Sequence, residues 1–104
     1  MRTTHDADDD PRGRALAAAE IVGMALERDL PHMALGAARE AARSALLALA
    51  AVPGPRLPDR DLGLLRDLAA SSPQRFAGRP AELAAVVRAT RALVGGLFPG
   101  EHAP

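Results

Sequence analysis

The sequence predicts an all-α protein, specifically an up-and-down four-helix bundle with a short third helix. Three observations carry this. Alanine, the residue with the highest helix propensity, dominates an apolar fraction of 48%. Aromatic residues make up 2%, with no Trp or Tyr, so the β-branched and aromatic supply of a sheet protein is missing. Apolar residues also recur at helical spacing in segments separated by proline-containing breaks. At 104 residues the chain supports one domain with a modest core.

Residues 1–9 are polar, with an acidic run at Asp6, Asp8 and Asp9 that continues into Asp10. They are expected to form a disordered N-terminal tail, with the bundle spanning 10–98 and a C-terminal tail at 99–104. Asp10-Pro11 is a helix start, because Asp caps free N–H groups and Pro loses nothing at the first helical position. The first helix is expected over 11–28, burying Ala15, Ala18, Val22, Ala25 and Leu26. Leu30-Pro31 forces a break, since the residue before proline is pushed out of helical geometry.

The second helix follows over 31–52 and ends at Pro53-Gly54-Pro55. It carries two apolar faces. One is a stripe of Leu35, Ala38, Ala42, Ala45, Leu46 and Leu49; the other is a row of small residues, Ala34, Ala37, Ala41 and Ala48. Such a row lets another helix approach closely, within the bundle or across a dimer. The third helix is expected over 58–70, with Asp59 and Asp61 favouring its positive end and Leu62, Leu65, Leu68 and Ala69 facing inward. A connector with one helical turn around Phe76 leads to the last helix, from Pro80. Leu83, Val86, Val87, Thr90, Leu93, Val94 and Leu97 mark its inner side, and Gly95-Gly96 weakens its end.

Thirteen basic and thirteen acidic residues balance to zero, which argues against a non-specific nucleic-acid binder. Every basic residue is Arg, which a genome-wide coding bias towards Arg and Ala explains and which leaves room for a local Arg patch. The absence of cysteine excludes disulfides and zinc–thiolate sites. No apolar h-region opens the chain, and no charge-free run of about 18 apolar residues occurs. A cytoplasmic location without membrane association is therefore the expectation.

Arg39, Glu40, Arg43 and Ser44 form the one polar strip of the second helix. Arg39 and Arg43 lie one turn apart, where like charges oppose each other by about 0.2–0.5 kcal/mol. Either their alkyl stems cover the core edge with the guanidinium groups in water, or both address one phosphate or carboxylate. Arg88 and Arg91, three apart on the last helix, join that anion or nucleotide set if the helices pack side by side. His5 and His102 fall in the tails, and His32 lies in a first helical turn without a visible acid–base partner. No metal-ligand spacing, Gly-rich phosphate loop or serine elbow occurs, so no catalytic residue, metal site or cofactor is assigned.

The stretch "ALERDLPHMALGAAREAARSALLALAAVPGPRLPDRDLGLLRDL", Ala25 to Leu68, resembles the HEPN superfamily of small helical bundles, as does the closing "LFPG" of Leu97 to Gly100. The resemblance spans about residues 14–100. It departs from the family where Arg43 replaces a Glu, Ser44 and Leu47 replace two Lys, and Arg60 stands where a His is common. The nuclease members carry Arg and His separated by four to six residues. Here Arg28 to His32 has three intervening residues, Arg2 to His5 two, and Arg91 to His102 ten. The resemblance thus implies a non-nuclease member that forms homodimers or partners a nucleotidyltransferase in a toxin–antitoxin setting, with RNA or a nucleotide as ligand. An unorthodox ribonuclease using Arg28 and His32 and a purely structural accessory bundle are the alternatives.

Overall fold

The computed structural model describes residues 10–51 and 57–97; the expected tails at 1–9 and 99–104, and the Pro53–Pro55 break, lie outside the described residues. Among the described residues, four helices and one short turn make up the fold: α1 (Pro11–Glu27), α2 (Pro31–Ala51), α3 (Asp59–Ala70), a 3-10 turn (Pro73–Phe76) and α4 (Pro80–Leu97). The protein is an all-α four-helix bundle with a short third helix, and no strand occurs among the described residues.

Proline sets the starts. Pro11, Pro31 and Pro80 each open a helix, and Pro58 immediately precedes one. Their fixed φ suits the first turn, where an N–H has no carbonyl to bond. Asp10 adds a side-chain cap that accepts from the Arg12 N–H at 3.2 Å.

α1 ends one residue earlier than the sequence suggests, because Arg28 belongs to a tight turn. The Asp29 N–H donates to the Leu26 carbonyl at 3.2 Å and the Leu30 N–H to the Ala25 carbonyl at 2.8 Å. This pair of bonds is the Schellman arrangement, which needs a left-handed residue after the helix cap. Asp29 fills that place with φ 57°. An L residue bears a steric cost there that glycine does not, offset in part by glycine's larger chain entropy when unfolded. Asp29→Gly is therefore expected to stabilise the fold by about 0.5–1 kcal/mol, read as a rise in the urea midpoint at unchanged slope.

α2 is the centre of the bundle. It packs most extensively against α1 and also against α3 and α4, whereas α3 and α4 meet only marginally. Both apolar faces of α2 turn into the bundle, with Ala34, Ala41 and Ala48 buried as fully as Leu35, Ala38 and Ala42, and with Ala37, Leu46 and Leu49 half-buried. The row of small residues is thus spent on the bundle itself. α1 answers with Ala15, Ala18, Ala19, Val22 and Ala25, also buried, so the central helix pair is lined mostly by methyl groups. Short side chains let the two axes come close, which is how a core poor in large residues excludes voids.

α3 inserts Leu65 and Leu68 into the core. Its end is tied to the 3-10 turn by Arg75, whose Nη1 lies 2.6 Å from Asp67 Oδ2 and donates to Ser71 Oγ at 2.8 Å. The Ser71 hydroxyl in turn donates to the Asp67 carbonyl, and the Arg75 guanidinium stands 5.1 Å from the ring centre of the buried Phe76. α4 buries Leu83, Val87, Thr90 and Val94, and the Thr90 hydroxyl is satisfied by the Val86 carbonyl at 2.9 Å. The helix continues through Gly95 and Gly96 to Leu97. Packing of Val94 and Leu97 against the core outweighs the poor propensity of the glycine pair there.

Candidate functional site

The polar strip of α2 differs from its sequence reading at one position. Ser44 is only 1% exposed, while Leu47 on the outward side of the same helix is 57% exposed. At 100° per residue Ser44 falls beyond Glu40, on the edge next to the buried row of Ala34, Ala41 and Ala48. Its small hydroxyl tolerates that place because it donates to Glu40 Oε2 at 3.0 Å, one turn back. Leu47 lies between Arg43 and Glu40 in angle and so faces out.

Glu40 gathers the strip. Besides Ser44 it meets Arg43, whose Nη1 is 3.8 Å from Glu40 Oε1. Arg39 is half-buried, and its Nε is covered without a hydrogen-bond partner. The stem and Nε of Arg39 therefore lie on the core edge, while Arg43 reaches along the surface to its own carboxylate.

Arg88 and Arg91 occupy a different place. They line a groove of about 480 Å³ between α1 and α4, floored by Leu16, Ala19, Ala92 and Gly95 and bordered by Glu20. No α2 residue lines it, so the groove does not join Arg88 and Arg91 to Arg39 and Arg43. Among the described residues no carboxylate comes within ion-pair range of Arg88 or Arg91.

The position of Arg91 depends on Gly23. A Cβ on Gly23 would stand 2.9 Å from Cζ, Nε and Nη2 of Arg91, so the guanidinium lies across the bare backbone of α1. Glycine in a helix interior costs about 1 kcal/mol against alanine, but Gly36 and Gly63 interrupt helices in the same way with open space around them, so the sequence alone does not single out Gly23.

A second feature is apolar. Ile21 and Met24 on α1, Leu30 in the turn and Met33 in the first turn of α2 are 41–54% exposed. His32 is exposed beside them, and His5 and His102 lie outside the described residues. Among the described residues no three His, Asp or Glu side chains gather where a metal ion could be held, and no helix is long and apolar enough to cross a membrane. No family model, curated protein or solved structure matches the chain.

Proposed function

We propose that the chain is a non-catalytic, HEPN-like helical interaction module that pairs with a second copy of itself through the outer face of α1. The supporting observation is the exposure of Ile21 (43%) and Met24 (48%), three residues apart and hence neighbours on that helix. Ala17 falls between them in angle, and Leu30 and Met33 carry apolar surface on to the end of the α1–α2 hairpin. Large apolar groups set side by side on an outer face mark an interaction surface more than single exposed residues do.

Charge supports a second copy as the occupant. At 100° per residue, Glu27 borders the strip on the Met24 side and Arg14 on the Ile21 side, while Arg28 falls within the strip at its turn end. With a formal net charge of zero, two copies also meet without long-range repulsion.

The protein is expected to sediment at twice its 10.8 kDa chain mass at about 100 μM, and Met24→Glu at one chain mass. A wild-type protein that stays at one chain mass at that concentration refutes self-pairing. Association with a nucleotidyltransferase, which the HEPN resemblance implies, would use the same face and be lost in the same variant.

A further inference from the structure

We infer that the groove between α1 and α4 binds a small organic zwitterion, its anionic end held by Arg88 and Arg91 and its cationic or N–H-bearing end by Glu20. This goes beyond the self-pairing face, which lies on the outward side of α1 around Ile21 and Met24.

Four features of the groove lead there. Its volume of about 480 Å³ falls in the range of small-ligand sites, about 300–1,000 Å³. Its floor of Leu16, Ala19, Ala92 and Gly95 is apolar and suits a hydrocarbon body rather than a bare ion. Arg88 and Arg91 share one wall, three residues apart, so their side chains are neighbours. Neither has a carboxylate partner among the described residues, so their N–H groups are open to an anion.

Gly23 holds one of the two in place. Because nothing projects from that position, the guanidinium of the exposed Arg91 rests against the backbone of α1. A side chain already held near its binding position loses less entropy when a ligand arrives.

Glu20 decides the class of ligand. It lines the same groove without contacting either arginine at ion-pair distance, so charges of both signs are held apart across one apolar floor. A simple inorganic anion gains from the arginines and is opposed by Glu20. A molecule with an anionic group at one end and an amine at the other satisfies all three.

The test is an amide chemical-shift titration with 4-(aminomethyl)benzoate, benzoate and inorganic phosphate as probes. Saturable shifts are expected at Ala19, Gly23 and Gly95 with 4-(aminomethyl)benzoate, and benzoate should bind about fivefold more weakly for lack of the amine. Glu20→Gln should remove that preference. Arg88→Gln and Arg91→Gln should each weaken both aromatic probes about fivefold, while Arg66→Gln, exposed on α3, should change nothing.

Gly23→Ala keeps every charge and displaces the Arg91 guanidinium, so it should weaken binding with helicity intact. The same titration on Met24→Glu should match wild type, which separates this site from the pairing face. The inference fails if no saturable shift occurs up to about 20 mM probe. It also fails if the arginine variants bind like wild type, or if phosphate binds as well as the zwitterion.

Discussion

Leu65→Ala is expected to cost about 3 kcal/mol of unfolding free energy, seen as a lower urea midpoint. Leu65 and Leu68 are the largest side chains that are completely enclosed. Half of the buried core cluster they belong to is alanine, which has no rotamer through which to refill a void. Truncation therefore forfeits the transfer energy of the removed carbons and leaves the cavity nearly whole, the combination that gives the upper part of the leucine-to-alanine range. Domains of this size hold about 5–15 kcal/mol in total, so one such change removes a large share of the stability. Leu64→Ala, one position earlier and only half-buried, is the internal comparison and should cost clearly less. Equal losses at Leu64 and Leu65 would mean that α3 is not inserted as described.

The opposite kind of change is expected to do comparable damage on α2. Ala41 has no exposed surface and sits in the small-residue row of the central helix. Ala41→Leu adds three carbons where there is no room, and the helices must separate or the side chain must leave its rotamer. The expected loss is about 3 kcal/mol, at the high end for overpacking because backbone rather than flexible side chain has to yield. Ala50→Leu, the same substitution on the exposed side of the same helix, should stay within about 0.5 kcal/mol of wild type. If both substitutions were neutral in a thermal melt, the close approach along that row would be refuted.

Helix boundaries were legible in the sequence because proline and aspartate act there through local chemistry. Pro11, Pro31 and Pro80 begin helices for a reason contained in the residue itself, and the Asp10 cap needs nothing beyond Arg12. The inner faces were legible too, since one apolar period places Leu65, Leu68, Val87 and Val94 correctly without knowledge of what they touch. What escaped depended on neighbours from other parts of the chain. Leu16 and Ala19 were not assigned to the core, because an Ala-rich helix gives little contrast between a buried alanine and an exposed one.

Ser44 was misplaced for a related reason. A serine beside two arginines has the polarity of a surface residue, and only the Glu40 hydrogen bond shows how it is accommodated inside. The candidate site was the least legible part. Arg88 and Arg91 stood out as a pair, but the helix they face is a matter of tertiary packing, and here it is α1 rather than α2. Gly23 did not stand out either, because Gly36 and Gly63 are equally interior to helices and have open space where Gly23 has Arg91.

The order in which the helices meet has a kinetic side. α1 with α2 and α2 with α3 are joined by chain neighbours, whereas α4 returns across the whole length of the protein to lie on α1. Contacts between distant segments carry the larger loop-closure entropy and lag behind local ones in folding. The seam between α1 and α4 is therefore expected to close last, and the groove with Arg88, Arg91 and Glu20 lies along it. A molecule seated there would clasp the first helix to the last and slow their parting, lengthening the lifetime of the closed bundle as well as deepening its equilibrium.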